Sequence, residues 1–157
     1  MLRKKSLTKE EALQKLRHYC SYQERCHSEV KTKLYQLGVS KTLWDEMIAE
    51  LIQGNYLNEE RFAMAFARGK FKMNHWGKRK IEFELKAKFI SDYCIKKAMK
   101  EISENDYAEI LDKLAKEKYE SLKGEQDLVR RKKTMEYLVG RGFEWMLINK
   151  TLEELKD

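Results

Sequence analysis

The stretch that decides the fold is residues 85–102, LKAKFISDYCIKKAMKEI, whose apolar positions return in the same register at residues 34–51 and 138–155. The matching stretches read LYQLGVSKTLWDEMIAEL and LVGRGFEWMLINKTLEEL, and they lie 51 residues before and 53 residues after the first. Six apolar columns result: Leu34/Leu85/Leu138, Val39/Ile90/Phe143, Leu43/Cys94/Leu147, Trp44/Ile95/Ile148, Ile48/Met99/Leu152 and Leu51/Ile102/Leu155. Six columns in one register, within so polar a chain, predict an internal repeat of about fifty residues.

Apolar residues recur at spacings of three and four along most of the chain, which is typical of amphipathic α-helices. The 157 residues include no proline and only seven glycines, so little in the sequence interrupts a helix. We therefore predict an all-α protein, an elongated array of three tandem three-helix repeats with about nine helices, covering residues 1–57, 58–104 and 105–157. Units of about fifty residues are near the lower limit for a stable core, so we expect neighbouring repeats to share buried surface.

Capping residues and glycines mark the expected helix ends. Thr8 and Asn58 can accept hydrogen bonds from the free N–H groups at a helix start. Gly38 can close the second helix, and Asn105-Asp106 is expected to open the seventh. Along the fourth helix the spacing predicts an inward-facing stripe made of Phe62, Ala65, Phe66, Gly69 and Met73.

The chain carries a net charge of +7, and the excess is concentrated in its middle. Residues 1–57 hold 10 basic and 7 acidic side chains, residues 58–90 hold 9 and 4, and residues 91–157 hold 14 and 15. A concentrated positive charge favours a polyanion or an acidic protein surface as the partner.

The basic segment from position 68 to position 80 contains six cations and no acid: Arg68, Lys70, Lys72, Lys78, Arg79 and Lys80, with Phe71, His75 and Trp76 among them. On the predicted fourth helix Arg61, Arg68 and Lys72 lie seven and four residues apart, which aligns them beside the apolar stripe. Such charges fit a contact surface, and they fit a solvated helix face equally well. A second cluster, Arg130-Arg131-Lys132-Lys133, lies among acids and is weaker support for a contact surface.

The predicted fifth helix carries an aromatic side chain between two cations. Arg79, Phe83 and Lys86 lie opposite the two apolar positions that face the core, Ile81 and Leu85. A phenylalanine in that position can act as a contact point. Packing of Phe83 against a neighbouring repeat is the interpretation that we favour.

No arrangement of residues predicts catalysis or a bound cofactor. Gly77-Lys78 lacks the upstream glycine and the following Ser or Thr of a phosphate-binding loop. No His stands beside a Ser or Cys in a setting that would activate a nucleophile.

A metal-dependent enzyme is an alternative through one group of side chains only, namely His18, Cys20, Cys26 and His27. Their spacing matches no usual zinc pattern. Two partly buried thiols and two surface imidazoles are the simpler interpretation. The third thiol, Cys94, stands in an apolar column and is expected in the core.

The sequence predicts a cytoplasmic protein. Its longest uncharged apolar stretches are a few residues long, whereas a membrane span needs about 20. The start, Met1 to Leu7, is basic without an apolar stretch behind it, so no secretory signal is expected. Three cysteines are too few, and odd in number, for a disulfide framework, which indicates a reducing compartment.

Residues 54–63, GNYLNEERFA, resemble a motif of the RecX family of recombination regulators, which typically reads Gly-Tyr-Leu-Asp-Asp-x-x-Phe-Ala. In that family a cationic helix follows, then an aromatic–glycine pair and an Arg-Ile-x-x-Glu-Leu element. Here these parts read Arg68 and Lys72, Trp76-Gly77, and residues 80–85, KIEFEL. Residues 25–34, RCHSEVKTKL, are similar to the family's Arg-x-x-Ser-x-x-Glu-Leu-x-x-Lys-Leu segment. The resemblance covers nearly the whole chain and includes the three-repeat plan.

Five positions depart from the family pattern. Asn58-Glu59 replaces the Asp-Asp pair, Val30 replaces a leucine and Lys80 replaces an arginine, and these changes keep the helix start and the basic surface. Phe89 stands where a glycine usually closes the fifth helix, so we expect that terminus to be rearranged.

The resemblance implies a regulator of homologous recombination and DNA repair that is not an enzyme. Such a protein binds the RecA recombinase filament in its helical groove, across several protomers, and contacts the single-stranded DNA within. It inhibits strand exchange and the DNA-dependent ATPase of the filament. We expect it to be a monomer.

Two sets of residues carry this expectation. Candidate contacts to RecA or DNA are Arg61, Arg68, Lys72, Lys78, Arg79, Lys80, Lys86 and Phe83. Motif residues with structural roles are Tyr56, Leu57, Phe62, Trp76, Gly77, Ile81 and Leu85. We expect Trp76 and Gly77 to fix the turn that presents the cations, and Tyr56 to pack a repeat junction.

A stand-alone helical nucleic-acid-binding module, acting without the recombinase, is the alternative function. Three-helix units resemble helix-turn-helix proteins, which place one helix in the major groove of DNA. The sequence predicts no flanking strands that would form a wing, and no cluster of Asn, Gln and Arg opens a helix for base recognition.

Overall fold

The computed structural model of the protein describes residues 7–155, so the basic cluster predicted at the start lies largely outside it. The helices are α1 (Lys9–Tyr22), α2 (His27–Gln36), α3 (Trp44–Gln53), α4 (Glu59–Asn74), α5 (Lys78–Ala87), α6 (Asp92–Met99), α7 (Glu104–Ser121), α8 (Asp127–Gly140) and α9 (Trp145–Glu154). A short 3₁₀ turn, Lys41–Leu43, precedes α3. No β-strand is present in this part of the chain, and the all-α prediction is confirmed.

The nine helices pack as three groups of three, α1–α3, α4–α6 and α7–α9. The first helix of each group starts in the same way, because the side chains of Thr8, Asn58 and Ser103 each accept the N–H of the residue three positions later. The predicted fold of three three-helix repeats is therefore confirmed. The start of α7 differs from the prediction: the helix begins at Glu104, because Ser103 is the capping residue rather than Asn105.

The middle helix of each repeat ends in one shared geometry. In all three repeats, the backbone N–H of the second apolar column donates to the carbonyl of the first column, with an N–O distance of 3.1 Å. The donor–acceptor pairs are Val39–Leu34, Ile90–Leu85 and Phe143–Leu138. The residue before each donor has a left-handed backbone, with φ of 75° at Gly38, 62° at Phe89 and 96° at Gly142. This is the hydrogen bond that commonly closes a helix at a glycine.

The expected rearrangement at Phe89 was wrong. The chain keeps the same turn there and places a phenylalanine in a conformation that L-residues with a Cβ adopt only at a cost. Its side chain is 84% exposed, so no neighbour obstructs the ring. Backbone strain, rather than a different terminus, is the consequence of the substitution.

Most positions of the six apolar columns lie in the core. Leu34, Leu85 and Leu138 are completely buried. Of the 18 column positions, Leu147 is the exposed exception, at 40%. Cys94 is buried, as its column predicts.

The predicted stripe on α4 was wrong in its register. Its buried residues are Phe62, Ala63, Ala67 and Phe71, whereas Met73 is 84% exposed and Ala65, Phe66 and Gly69 are half-buried. The ring of Phe71 lies 5.8 Å from that of Tyr107 in the third repeat. This packing between repeats selects the buried face, and Phe71 belongs to the core rather than to the basic surface.

The buried side chains form two clusters rather than three. One lies within repeat 1 and includes Leu13, Met47 and Leu51, and the other runs continuously through repeats 2 and 3. Cys26, just before α2, is completely buried in the second cluster. Repeats 2 and 3 therefore share one core, and Cys26 anchors repeat 1 to it.

Candidate functional site

The start of α5 is joined to repeat 3 through its backbone. Its first three N–H groups donate to that repeat: Gly77 to the Arg141 carbonyl (2.7 Å), Lys78 to the Tyr107 hydroxyl (3.0 Å) and Arg79 to the Gly142 carbonyl (2.9 Å). N–H groups at a helix start have no partner within the helix. Repeat 3 supplies the partners, which fixes where the basic end of α5 points.

The Tyr107 side chain lies at the centre of this junction. Its hydroxyl donates to Glu144 at 2.5 Å, and its ring centroid lies 5.2 Å from that of Phe143. Burial first, and then the bond to Glu144, raise the pKa of Tyr107 far above its ordinary value. The hydroxyl therefore stays protonated and keeps both hydrogen bonds. The ammonium of Lys78 lies 4.7 Å from the ring centroid, so this candidate contact also faces the junction.

The Trp76 ring holds two further cations beside the turn between α4 and α5. The ammonium groups of Lys80 and Lys70 lie 4.5 Å and 4.9 Å from it, within the range of cation–π attraction. The Phe66 ring packs against the Trp76 ring in an edge-to-face arrangement, with their centroids 6.3 Å apart. This arrangement orders Lys70 and Lys80 on the half-buried tryptophan.

The Arg61 side chain, predicted as a contact, is engaged inside the protein. Its Nε donates to a Glu24 carboxylate oxygen at 2.5 Å. Its other nitrogens donate to the Asn55 side chain and to the carbonyls of Asn55 and Tyr56. The guanidinium thus ties repeat 2 to repeat 1. The sequence gives no sign of this role, because Glu24 is distant along the chain.

The remaining candidates are exposed on α4 and α5. Lys72 and Arg79 are exposed and form no ion pair within residues 7–155. Arg68 pairs with Glu101 at 3.1 Å, and Lys86 pairs with Glu82 one turn earlier on α5 at 3.1 Å. We call the exposed cations Arg68, Lys72, Arg79 and Lys86 the basic face.

Phe83 is 69% exposed within the basic face, so the prediction that it packs against a neighbouring repeat was wrong. Ile81 and Leu85 occupy the buried side of α5. The helix therefore turns Phe83 towards solvent, where it is accessible to a partner.

Lys78, Arg79 and Lys80 occupy the first turn of α5, and no acid accompanies them there. The N-terminal end of a helix carries a partial positive charge, which makes cations unfavourable and acids favourable in that turn. By contrast, the first turn of α4 holds Glu59 and Glu60. The start of α5 therefore concentrates positive potential against the local preference.

The second basic cluster is largely used within repeat 3. Arg130 is buried, donates to the Tyr119 carbonyl and lies 3.7 Å above the Tyr119 ring. Arg131 pairs with Asp127 at 2.8 Å and donates to the Leu155 carbonyl at 2.7 Å. These two arginines hold the helix ends of the repeat together rather than forming a free cationic surface.

The four side chains of the metal alternative do not converge. Cys20 is buried in the core of repeat 1, Cys26 is buried in the other cluster, and His18 is exposed. Burial raises the pKa of both thiols above the ordinary value, which disfavours thiolate ligands. Within residues 7–155 no three His, Cys, Asp or Glu side chains are grouped to hold a metal ion, and none of the helices in that range is long and apolar enough to cross a membrane.

Comparison with known proteins identifies the family of the chain. The family model described as "RecX, second three-helix domain" matches residues 58–99, and "RecX, third three-helix domain" matches residues 104–152. Regulatory protein RecX of Prosthecochloris aestuarii is 32% identical over 144 residues, which is 92% of this chain and 93% of that protein. Its counterpart in Chlorobium limicola is 31% identical over 133 residues, 83% of this chain and 82% of that protein. The chain belongs to the RecX family.

The fold agrees with this assignment. A crystal structure of RecX from Lactobacillus salivarius superposes with a TM-score of 0.83, covering 93% of this chain and 95% of that one at 23% identity. The family models and the two relatives confirm the resemblance noted from the sequence motifs.

The motif residues of this RecX-family protein divide into core and junction positions. Leu57, Phe62, Ile81 and Leu85 are buried in the two hydrophobic clusters. Gly77 and Trp76 form the turn at the start of α5. Tyr56 is exposed at the α3–α4 turn, where its carbonyl accepts from Arg61.

Proposed function

We propose that this RecX-family protein binds the RecA recombinase filament on DNA and inhibits its ATP hydrolysis and strand exchange. The observation that carries the proposal is the basic face on α4 and α5, in a chain that belongs to the family throughout its second and third repeats. Family membership suggests the partner, and the basic face suggests where contact occurs.

The cations at the start of α5 support a functional rather than a purely solvated face. Lys78, Arg79 and Lys80 oppose the helix dipole, and the first turn of α5 contains no acid to offset them. Proteins tend to keep such local exceptions where function requires them. The backbone bonds from repeat 3 hold this turn in one orientation, so the charges are presented rigidly.

The mechanism that we propose is electrostatic docking followed by steric restraint. A filament groove that contains DNA is strongly anionic, so the basic face accelerates approach and gains free energy as counterions are released. A molecule that spans neighbouring protomers would oppose the subunit movements that accompany ATP hydrolysis. The protein itself need perform no chemistry, and we propose that it acts as a monomer in the cytoplasm.

A second candidate function is binding of nucleic acid without the recombinase. The exposed ring of Phe83, between Arg79 and Lys86 on the basic face, favours this candidate, because aromatic rings beside cations stack on unpaired bases. The helix-turn-helix version lacks support: the described residues contain no strands that could form a wing.

Co-sedimentation separates the two candidates. RecA filaments assembled on single-stranded DNA, RecA alone and the same DNA alone are each centrifuged with this protein at matched salt. We expect recovery in the filament pellet at protein concentrations where DNA alone retains little. Equal recovery with DNA alone and with filaments would favour the stand-alone module and contradict the proposal.

A further inference from the structure

A groove of about 530 Å³ lies on the outside of repeat 1, between α1 and α2. Apart from Gln14 and Leu37, the side chains that line it are basic or aromatic: Lys15, His18, Tyr19, Tyr22, Arg25 and Lys33. No acidic side chain of the described chain lines it. The groove is separate from the basic face, which lies on repeat 2.

The cations of the groove are held in place. The Arg25 guanidinium stacks 3.7 Å from the Tyr19 ring centroid and donates to the Tyr19 carbonyl at 3.0 Å. The Lys33 ammonium lies 5.4 Å from the same ring. Tyr19 therefore organises two charges, which lowers the entropy lost when they bind an anion.

Two acids on the helices that form the groove are bound to other partners. Glu29 accepts the Cys26 N–H at 3.1 Å and lies 3.8 Å from Lys88 of repeat 2. Glu10 pairs with Arg17 at 3.0 Å. Each of these two carboxylates is therefore paired with a cation outside the groove, while the groove lining itself carries Lys15, Arg25 and Lys33.

Tyr22 provides an open aromatic surface beside these charges. It lies in the last turn of α1, on the same side as Lys15 and Tyr19, and it is 80% exposed. Large aromatic side chains are usually covered in an isolated protein. An exposed ring next to ordered cations can bind an unpaired nucleotide, because the base stacks on the ring and the phosphate contacts the cations.

We propose that this groove binds single-stranded DNA, with phosphates on Lys15, Arg25 and Lys33 and one base stacked on Tyr22. Unpaired bases are required, because the bases of a duplex cannot expose a face to Tyr22. An acidic peptide would satisfy the cations and leave the tyrosine ring unused, so nucleic acid fits the groove better. The choice of DNA over RNA rests on the function proposed above.

The test uses the full-length protein and a fluorescein-labelled oligothymidylate, without recombinase, read by fluorescence anisotropy. Tyr22→Ala should weaken binding about tenfold, because one stacked base is lost. Tyr22→Phe should bind like the parent, since it keeps the ring. Tyr35→Ala is the matched control, because the Tyr35 side chain on α2 is similarly exposed (73%, against 80% for Tyr22) but lies outside the groove. This control should leave binding unchanged.

Charge provides a second comparison on one helix. Lys33→Glu should weaken binding more than Lys31→Glu, because Lys33 lines the groove and the exposed Lys31 does not. Both variants change the net charge equally, so nonspecific attraction is matched. Circular dichroism melts of each variant confirm that the fold is retained.

Three results would overturn the proposal. These are binding of oligothymidylate by Tyr22→Ala within twofold of the parent, equally tight binding of an abasic oligonucleotide of equal length, and competition by polyglutamate of equal charge that matches competition by oligothymidylate. Tighter binding of oligouridylate would overturn the assignment to DNA. Loss of oligothymidylate binding in Tyr22→Ala supports the groove whether or not the protein inhibits RecA. Failure of the proposed function is recognised separately, by measuring whether the protein inhibits ATP hydrolysis by RecA on single-stranded DNA.

Discussion

Gly77 and Gly142 meet backbone to backbone at the junction of repeats 2 and 3. A Cβ on Gly77 would lie 2.2 Å from the carbonyl carbon of Gly142, and a Cβ on Gly142 would lie 2.3 Å from the Cβ of Lys80. This close approach allows the carbonyls of Arg141 and Gly142 to accept the N–H groups of Gly77 and Arg79 at the start of α5. The two glycines therefore determine how the basic start of α5 is mounted on the third repeat.

Gly77→Ala should destabilise the protein by about 3 kcal/mol or more, because the added methyl meets backbone atoms that cannot rotate away. Urea unfolding measures the free energy of unfolding. Gly69→Ala is the control: Gly69 lies inside α4 with open space at its Cβ position, so that change should stabilise by about 0.5–1 kcal/mol. Equal unfolding midpoints for Gly77→Ala and the parent would show that the repeats do not meet in this way.

Phe89→Gly should stabilise the protein by about 1 kcal/mol, since glycine adopts the left-handed backbone at that position without strain. The exposed ring contributes little packing that could be lost. Phe89→Ala removes the same ring and keeps a Cβ, so its stability should stay near that of the parent. Thermal melts in which the alanine and glycine variants coincide would contradict the strain.

Arg61→Ala should cost about 1–2 kcal/mol of stability, because it removes a half-exposed ion pair and the hydrogen bonds to the α3–α4 turn. Glu24→Ala should cost less, since it removes the ion pair alone. A double-mutant cycle should give a coupling of about 0.5–1 kcal/mol between Arg61 and Glu24. Independent, additive effects would mean that the two side chains do not pair in solution.

The three thiols should react slowly with iodoacetamide in the folded protein at neutral pH. Cys20, Cys26 and Cys94 are all buried, and burial raises the pKa of each, so little thiolate is accessible. Labelling should become fast in urea, where ordinary thiol pKa values near 8.5 are restored. Mass spectrometry counts the labels, and rapid native labelling at Cys26 would contradict its position between repeats 1 and 2.

The sequence predicts those parts of the fold that depend on local periodicity. Leu34, Leu85 and Leu138 stand at equivalent positions in their repeats, and each is buried because the same local helix and turn surround it. Thr8 and Asn58 cap the helices that their chemistry predicts. These features need no knowledge of distant residues.

Features that depend on distant partners could not be predicted in the same way. Phe71 and Met73 fit a helical spacing almost equally well, and only the contact with Tyr107 selects Phe71 for the core. Nothing near Arg61 in the sequence indicates that its charge is taken by Glu24. Of the predicted contacts, Lys72 and Arg79 form no ion pair within residues 7–155, whereas Arg61 and Lys78 serve repeat junctions.

These engagements decide which charges should be reversed in a test of function. Reversal of Arg68 would bring a carboxylate next to Glu101, and reversal of Arg61 would do so next to Glu24, so both would also disturb the fold. Lys72 and Arg79 are exposed and unpaired within residues 7–155, and their reversal should leave stability nearly unchanged.

The most direct measurement is steady-state ATP hydrolysis by RecA on single-stranded DNA, titrated with the parent, with Lys72→Glu/Arg79→Glu and with Lys113→Glu/Lys116→Glu. The last variant makes the same charge change on the exposed side of α7. We predict that the parent and the α7 variant inhibit alike, that the Lys72/Arg79 variant needs at least about tenfold more protein, and that added salt weakens inhibition by the parent steeply. Absence of inhibition by the parent, or equal inhibition by the Lys72/Arg79 variant and the parent at every salt concentration, would contradict the account.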